Sequence, residues 1–434
     1  MNRAILDEAV QDYLNSHLKD DVHRIAMSKS SFQEVSAQEL AGQIAAKTRA
    51  EKKLPSWFNT PGIYYPQLLS IEQCSSERTA NYKSTLILGD QVLDLTGGFG
   101  VDSASFSKVA ESVTHCELLP DLSEIAAHNA RMLKLDNIEF LNTNGIEYLL
   151  TTSKTFSTIY IDPARRGKGG KVFMLKDCSP NVVENLDLLL AKAARVIIKT
   201  SPLLDISAGI RELRNVAEVQ IISVKNECKE LLFILEPEIQ QHAPKITSVT
   251  VNDSIKKVSF ERNNDDFLQP VMKESVPSHP VESQAESIPN ESISTQLASA
   301  GQTSEETKRR LLQNGLKTYL YEPDVALLKS GAFNAIGELF NLDKLDVQSQ
   351  LYTADHFNPK FPGRIFIIED VLSKKDLKKV PDLSGNVIVR NYPAKPEELI
   401  KAFKIKSSKE AFLIFTKVRK IGYLILKASI LQHY

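Results

Sequence analysis

Short apolar runs alternate with amphipathic helical patterns through the middle of the chain. Between residues 84 and 237, seven runs have the length and β-branched content of strands: QVLDL, SVTHCE, IEFLN, TIYID, RVIIKT, EVQIISV and ELLFILE. Helical patterns at 121–134, 180–193 and 205–214 lie between them, so we predict an α/β fold with a mainly parallel sheet that is covered on both faces. Only KNECK separates the last two runs, which favours an antiparallel hairpin at the sheet edge.

The pattern changes before this region. Residues 3–18 place apolar side chains at helical spacing, and Ser36 and Glu39 have the spacing of a capping box. We therefore predict a helical N-terminal domain over residues 1–80. The α/β domain then spans 81–261 and ends in an alternating stretch that predicts one more hairpin.

Composition shifts again after that hairpin. Residues 262–308 are rich in Ser, Pro, Glu and Gln and predict a disordered linker. Helical spacing resumes through Val325, Leu328, Phe333 and Ile336, and it is followed by the strand-like runs GRIFIIEDV, NVIVRNYP, AFLIFTK and GYLILKASIL. These patterns predict two small α+β domains, over 309–375 and 376–434.

Composition describes an ordinary globular chain of several domains. The 434 residues exceed what one core supports, and 42% are hydrophobic and 25% charged. Four scattered cysteines contain no C-x-x-C pair, so we expect a reducing, cytoplasmic environment and neither a metal site nor a disulfide framework. No apolar stretch reaches the ~18 residues that a membrane span needs, so we expect no membrane partner.

The net charge of −1 hides a basic tail. Residues 371–434 hold fourteen Lys plus Arg against five Asp plus Glu, a surplus of nine. Such a surplus is either a solvated face or a surface for nucleic acid phosphate. For the second alternative, the candidate RNA-binding residues are Lys404, Lys406 and Arg419.

A glycine-rich turn follows the first predicted strand, in the stretch VLDLTGGFGVDS at 92–103. Glycines let the backbone turn tightly and approach a ligand, although any tight strand-to-helix turn also uses them. Asp94 before the turn would repel a pyrophosphate and attract a cationic amino group. Glu117, at the end of the second strand, can accept hydrogen bonds from ribose hydroxyls. This combination favours S-adenosylmethionine over NAD.

Four stretches of residues 84–240 together resemble the class I S-adenosylmethionine-dependent methyltransferases. They are VLDLTGGFG, HCELLPDLSEIAAHNA, NTNGIEYL and IYIDPARR. The resemblance implies a Rossmann-like methyltransferase sheet with S-adenosylmethionine as cofactor. Asn144 stands where the family usually has an acid that faces the adenine, and it still offers an amide. The cofactor-binding residues that the resemblance implies are Asp94, Thr96, Gly97, Gly98, Gly100, Glu117, Asn144 and Asp162.

Other stretches resemble a bacterial group of methyltransferases with a THUMP-like C-terminal domain. They are EQCSSERTANYK, DPARR and a C-terminal series from YEPDVALLKSGAF to ELIKAFKIK. The resemblance implies a ferredoxin-like domain over 309–375, a THUMP-like RNA-binding domain over 376–434, and tRNA or rRNA as the partner. It also implies that EQCSSERTANYK covers the methionine end of the cofactor, where Glu77 and Thr79 are the candidates.

The stretch DPARR ends the fourth strand, where an open α/β sheet places its ligand crevice. In methyltransferases that act on exocyclic amines, such an acid and the carbonyl near the following proline orient the amine. Asp162, Pro163 and Arg165 are therefore the predicted catalytic residues. The usual second proline and aromatic are absent here, so a guanidinium plane would have to stack on the base.

Several basic residues continue this loop. Arg165, Arg166, Lys168 and Lys171 are candidates for holding RNA phosphates, although the two arginines could also pair with helix carboxylates. Phe173 is an alternative stacking residue or a core residue. Methylation at C5 of a pyrimidine needs a cysteine nucleophile, and Cys178 is the one candidate here. We expect it to be a small buried side chain instead.

These patterns predict a methyltransferase that modifies a base in RNA, with an exocyclic amine as one candidate target. Two alternatives stay open. The chain could be a non-catalytic RNA-binding protein that retains the fold, or it could methylate a protein or a small molecule. The target nucleotide, the methylated atom and the oligomeric state do not follow from the sequence.

Overall fold

The computed structural model describes residues 1–165, 174–239, 243–262, 268–270 and 305–434. The chain forms two compact units. The first unit comprises Met1–Gln220 with Glu230–Pro244, and the second comprises Ile221–Lys229 with Lys245–Tyr434. Most of the predicted linker at 262–308 lies outside the described residues. None of the described helices is both long and apolar enough to cross a membrane.

Six helices open the first unit: α1 (Glu8–Ser16), α2 (Val22–Ala26), α3 (Ala37–Lys53), α4 (Pro55–Asn59), α5 (Leu68–Gln73) and α6 (Glu77–Ser84). The predicted capping box is confirmed, because Ser36 accepts a hydrogen bond from the Glu39 amide and the Glu39 carboxylate accepts one from the Ser36 amide. Apolar side chains of these helices share one core with Phe99, Val101 and Ile125. The boundary predicted at residue 80 therefore lies between elements that share a core.

The α/β region follows in the predicted order. Its elements are β1 (Gln91–Asp94), α7 (Val101–Phe106), β2 (Ser112–Glu117), α8 (Pro120–Met132), β3 (Ile138–Asn142), α9 (Gly145–Thr151), β4 (Phe156–Ile161), β5 (Ala164–Arg165), β6 (Cys178–Ser179), α10 (Leu186–Lys192), β7 (Ala193–Thr200), α11 (Ile206–Glu212), β8 (Val216–Val224) and β9 (Glu227–Leu235). All seven predicted strands are present, with ends that differ from the predicted ones by at most three residues.

The sheet of the first unit has the strand order β9-β7-β4-β1-β2-β3. Strands β7, β4, β1, β2 and β3 are parallel to their neighbours, and β9 runs antiparallel to β7. The short strands β5 and β6 pair separately with each other. The predicted α/β fold with a mainly parallel sheet is confirmed. Parallel strands point their carboxyl ends to the same edge, which gathers the strand-end residues there.

Two details differ from the sequence-based prediction. The helix predicted from residue 180 begins only at Leu186, because the Asn181 side chain accepts hydrogen bonds from the Val183 and Glu184 amides and holds a turn there. The hairpin of β8 and β9 was also predicted at the sheet edge. That prediction is wrong, because β8 has β10 as a further neighbour, and the end of β8 belongs to the second unit together with β10.

After Ile221–Lys229, the second unit continues with the predicted hairpin of β10 (Lys245–Val251) and β11 (Ile255–Arg262), which is confirmed as antiparallel. Its remaining elements are β12 (Leu268–Pro270), α12 (Glu305–Gln313), β13 (Tyr319–Pro323), α13 (Val325–Ser330), α14 (Phe333–Phe340), β14 (Asp343–Lys344), β15 (Tyr352–Ala354), β16 (Gly363–Leu372), α15 (Lys374–Lys379), β17 (Asn386–Arg390), α16 (Pro396–Phe403), β18 (Ala411–Val418) and β19 (Gly422–Gln432). The continuous helical spacing after residue 325 is divided in two, because Gly331 takes a φ of +78° and ends α13.

A seven-stranded sheet organises this unit, in the order β14-β15-β13-β16-β19-β18-β17. Its pairs are antiparallel apart from β17 with β18, which are parallel. One core joins the β10–β11 hairpin to α13 and α14. Another lies around Leu377, Leu399 and Phe415, where α15 and α16 pack near the end of the chain. The two predicted α+β domains therefore lie on one sheet.

Candidate active site

The carboxyl ends of the parallel strands bring the candidate residues together. Asp94 ends β1, Glu117 ends β2 and Asp162 follows β4, and β1 pairs with both β2 and β4. Ile161 pairs with Ile198, so Asp162 and the next residue of β7, Lys199, lie at the same edge. The glycine loop, three acidic side chains and one lysine therefore lie at the same end of the sheet.

The glycine loop is tied to the strand beside it. Gly97 donates its amide hydrogen to the Cys116 carbonyl at 2.8 Å, and Gly98 donates to the Glu117 carboxylate at 2.9 Å. A Cβ on Gly97 would stand 2.1 Å from the ring of His115, which packs directly beneath the loop. Gly100 has a φ of +90°, a conformation that favours glycine. The predicted glycines are thus required by packing and backbone conformation here.

Asp94 is buried behind this loop. Its carboxylate accepts hydrogen bonds from the Ser103 hydroxyl at 2.6 Å and from the Thr96 amide at 3.2 Å. Burial raises the pKa of Asp94 to about 7, and the nearby Asp102 carboxylate adds to the increase. A cation bound close by would favour the ionised form of Asp94. The site therefore favours a positively charged ligand group.

Glu117 and Asn144 are each engaged in local bonds. Besides the Gly98 amide, the Glu117 carboxylate accepts a hydrogen bond from the Leu119 amide at 2.8 Å. The Asn144 side chain caps α9 by accepting from the Ile146 amide at 3.0 Å. Leu118 and Leu119 are 66% and 59% exposed, so they offer apolar surface directly after Glu117. Sequence reasoning missed these two leucines.

Asp162 is held from two sides. Its backbone amide donates to the Thr96 hydroxyl at 2.7 Å, which connects the corner after β4 to the glycine loop. Its carboxylate accepts a hydrogen bond from the Lys199 ammonium in an ion pair. The Lys199 side chain is 12% exposed and that of Asp162 is 36% exposed, so the carboxylate still reaches solvent.

Lys199 is the functional candidate that the sequence reasoning missed. Burial alone would lower its pKa, but the carboxylates of Asp162, Glu230 and Asp102 outweigh burial and raise that pKa above its usual value. The lysine is therefore charged at neutral pH. The sequence contains a signal for this residue: Lys199 is a charged residue at the end of an apolar strand, in the same kind of position as Asp162.

A buried charged network lies beside this pair. The Lys83 ammonium, which is fully buried, contacts Asp102 at 2.9 Å, Glu230 at 3.3 Å and the hydroxyl oxygens of Ser75 and Tyr160 at 2.5 Å and 3.1 Å. Burial acts to raise the pKa of Asp102, but Lys83 and Lys199 hold that pKa below its usual value. The network fastens α6 to the sheet.

The stretch EQCSSERTANYK reaches this site through residues other than the predicted ones. Glu77 accepts hydrogen bonds from the amide and hydroxyl of Ser56, at 2.9 Å and 2.5 Å. Thr79 bonds to Ser76 in the first turn of α6. Ser75 and Lys83 of the same stretch join the buried network instead. The bonds of Glu77 and Thr79 hold the start of α6 in place.

The remaining predicted residues divide between two places. Arg165 lies in β5 directly after Pro163 and Ala164, and its backbone pairs with Cys178 of β6. Arg166, Lys168, Lys171 and Phe173 lie outside the described residues. In the second unit Lys404 and Arg419 are exposed, and Lys406 forms an ion pair with Asp382 at 2.6 Å.

Comparisons with known proteins find similar domains and similar whole chains. A ferredoxin-like domain model matches residues 319–362 and a THUMP-like domain model matches residues 363–426. The models place the boundary between 362 and 363, where the sequence predicted 375. The solved structure of a methyltransferase from Porphyromonas gingivalis W83 is 26% identical, covers 99% of both chains and superposes with a TM-score of 0.74.

Two curated relatives match over very different lengths. An uncharacterized S-adenosylmethionine-dependent methyltransferase of Mycobacterium tuberculosis is 18% identical over 80% of this chain and 83% of its own. A 23S rRNA (uracil(1939)-C(5))-methyltransferase, RlmD, of Vibrio vulnificus is 36% identical over 19% of each chain. The chain spans only about a fifth of the length of the RNA methyltransferases that it matches.

The cofactor motifs, the fold and these relatives agree with one another. The sheet carries its glycine loop and strand-end acids at the carboxyl edge of its parallel strands, and the two C-terminal matches fall in the predicted small domains. The chain is similar over most of its length to S-adenosylmethionine-dependent methyltransferases, and its C-terminal part matches a ferredoxin-like and a THUMP-like domain.

Proposed function

We propose that this chain transfers the methyl group of S-adenosylmethionine to a base in RNA, either tRNA or rRNA. The observation that carries the proposal is the corner at Asp162. Its backbone is bonded to the glycine loop through Thr96, and its carboxylate is held by Lys199 at the carboxyl edge of the sheet. A base bound at this corner would lie next to a cofactor bound at the loop.

The residues of the loop fit S-adenosylmethionine. The buried Asp94 carboxylate favours a cationic group, and Glu117 stands at the strand end where ribose hydroxyls would be bound. Gly97, Gly98 and Gly100 leave room for the close approach of a ligand. Asn144 would contribute the amide that faces the adenine. When bound, the cofactor supplies a methyl group on a positively charged sulfur.

Asp162 would orient the base. A carboxylate accepts hydrogen bonds from an exocyclic amine and directs its lone pair towards the methyl group, so catalysis comes mainly from positioning. Lys199 would fix that carboxylate in place, and the Pro163 backbone would fix the neighbouring carbonyl. We propose Arg165 as the side chain that stacks on the base, and Arg166, Lys168 and Lys171 as phosphate contacts, with Phe173 as an alternative stacking residue.

The proposal of an RNA substrate rests on the C-terminal part and on relatives. The THUMP-like match covers most of the region with the basic surplus, and the covered part includes Lys404, Lys406 and Arg419. The curated RNA methyltransferases match part of the chain. A cytoplasmic location belongs to the same proposal, and the four free cysteines support it.

Methylation at C5 of uracil is a second candidate, because the relative RlmD is named as a uracil C5-methyltransferase of 23S rRNA. It would require a cysteine thiolate to add to the base. Cys178 is the register partner of Arg165, yet it is buried with 9% exposure, and its thiol lies 3.7 Å from the Met174 carbonyl. Replacement Cys178→Ser decides between the two, because C5 transfer would be abolished and amine transfer would continue.

The test uses purified full-length protein, methyl-labelled S-adenosylmethionine and RNA from cells that lack the gene. We expect label in one methylated nucleoside, and we expect Asp162→Ala to remove most of it while cofactor binding in a calorimetric titration persists. Cofactor binding is also expected to separate an enzyme from an RNA-binding protein that only retains the fold. Label in protein or small molecules, with none in RNA, would contradict the proposal.

A further inference from the structure

An exposed aromatic and basic surface lies in the second unit, at one end of the β18–β19 hairpin. It consists of Tyr423, Tyr392 and Lys374, which we call the stacking patch. The Tyr423 and Tyr392 rings meet edge to face, with centroids 5.3 Å apart and planes at 73°. The Lys374 ammonium stands 5.9 Å from the centroid of the Tyr392 ring. Tyr423 is 55% exposed, and it is the most exposed aromatic side chain in the part of the chain that the structure describes.

The patch is connected to the core of the second unit through Tyr392. Tyr392 packs edge to face on the buried Phe415, at 5.3 Å and 72°. Tyr423 stands opposite Lys417 in the register of β18 and β19, just after Gly422, whose φ of +106° begins the strand. An edge-to-face contact uses at most one face of the Tyr423 ring. The Tyr423 ring therefore contacts Tyr392 and still has a face that is open to a ligand.

The surroundings of the patch are positively charged. Helix α15 reads KKDLKK, and its four lysines are all exposed: Lys374, Lys375, Lys378 and Lys379. The one acid of this helix, Asp376, accepts hydrogen bonds from the amide and hydroxyl of Ser373 in a capping box. An exposed ring near the Lys374 ammonium, on a helix that carries three more exposed lysines, suits a ligand that has both flat rings and negative charge.

We propose that the stacking patch binds a base of single-stranded RNA on Tyr423, with the lysines of α15 contacting the adjacent phosphates. Aromatic rings stack on bases of any sequence, and cations follow the backbone, which together are the chemistry of single-strand binding. A duplex keeps its base faces stacked inside and could use only the lysines. This inference deepens the proposed function, because it names the residues and the strandedness of the RNA that the second unit binds.

The experiment measures fluorescence anisotropy of a labelled oligouridine of twelve nucleotides, and of a hairpin duplex of similar charge, with the full-length protein at fixed salt. We expect Tyr423→Ala to weaken binding of the single strand by about 5–150-fold, the range that corresponds to loss of one stacked base. Tyr423→Phe should bind within about twofold of wild type, because the ring is kept. Lys374→Ala should reduce the slope of log affinity against log salt by about 1.

Ile421→Ala is the matched control. Ile421 is 45% exposed and lies two residues before Tyr423 in the same hairpin, so its loss removes apolar surface without removing a ring. The inference predicts unchanged RNA binding in this variant. The inference would be overturned if Tyr423→Ala bound the single strand as tightly as the wild type. It would also be overturned if Ile421→Ala lost as much RNA affinity as Tyr423→Ala, a result that would indicate an apolar docking surface for a protein.

Parallel assays keep this inference separate from the proposed function. Methyl transfer to RNA with an unchanged KM in Tyr423→Ala would overturn the inference and leave the proposed function standing. Absence of any methyl transfer to RNA, together with oligouridine binding that depends on Tyr423, would overturn the proposed function and support the inference. A melting curve of each variant shows that the hairpin is folded.

Discussion

Replacing Lys199 with methionine tests the positioning of Asp162 most sharply. The substitution keeps a long apolar side chain but leaves three carboxylates, Asp162, Glu230 and Asp102, around the one remaining lysine, Lys83. Removing one partner of a buried ion pair costs about 3–5 kcal/mol. Because the Asp162 side chain is 36% exposed, solvent screens this pair, and we expect a loss of about 1–2 kcal/mol in the free energy of unfolding.

The effect on catalysis should be larger than the effect on stability. A misplacement of about 1 Å in a positioning group costs about 100-fold in rate. We therefore expect kcat for methyl transfer to fall about 100-fold in Lys199→Met, while the dissociation constant of S-adenosylmethionine changes by less than about threefold, because Asp94 and the glycine loop are untouched. Single-turnover transfer from labelled cofactor measures the first quantity, and calorimetry measures the second.

Two further variants separate positioning from stability. Lys199→Met combined with Asp162→Asn removes the unpaired charge, so it should recover stability without recovering activity. Lys154→Met is the matched control, since the pair of Lys154 with Glu139 is an exposed lysine–carboxylate pair at 3.4 Å. Lys154→Met should change neither the free energy of unfolding nor kcat measurably. The reasoning would be refuted if Lys199→Met folded normally and transferred methyl groups at the wild-type rate.

Four other predictions concern Asp94, Gly97 and Lys83. The pKa of Asp94 is raised to about 7, so the folded state keeps a proton that the unfolded state releases near pH 4. This proton stabilises the fold at low pH, and the stabilisation is lost as the pH rises from about 4 through 7. The free energy of unfolding should therefore depend less on pH in Asp94→Asn than in the wild type, as denaturation at several pH values can measure. Cofactor affinity should rise between pH 6 and 8 in the wild type but not in that variant, as calorimetry can measure. Gly97→Ala should lower the free energy of unfolding by about 1–3 kcal/mol and remove most cofactor affinity, because the new Cβ would clash with His115. Gly42→Ala on α3 is the control: no atom lies within 4 Å of its Cβ, so thermal melting should show unchanged or increased stability. Lys83→Met should lower the free energy of unfolding by about 3–5 kcal/mol, because the Asp102 and Glu230 carboxylates would stay buried without their lysine. Chemical denaturation measures this loss, and unchanged stability would contradict the assigned network.

Local patterns predicted the fold and identified the residues that the sheet gathers into the candidate site. Strands β2 and β3 match the predicted runs residue for residue, and the glycine loop and Asp162 were found because each lies within one short stretch. Gly331 shows a limit of periodicity, because one glycine divided a pattern that reads as continuous.

Long-range pairing could not be predicted in the same way. The buried network joins Lys83 and Asp102 to Glu230, which lies 147 residues after Lys83 in the chain, and no local pattern states which lysine meets which acid. Lys199 and Asp162 meet because β4 and β7 are neighbours in register. Strand-end charges were visible in the sequence, but their partners depend on the strand order of the sheet.

Nucleoside mass spectrometry of RNA from cells with and without the gene tests the central claim most directly. The account predicts that one methylated nucleoside disappears without the gene, returns with the wild-type gene and stays absent with the Asp162→Ala variant. Identical nucleoside profiles in the two strains would contradict methylation of RNA by this chain. Recovery of the modification by Asp162→Ala would contradict the role assigned to the corner after β4.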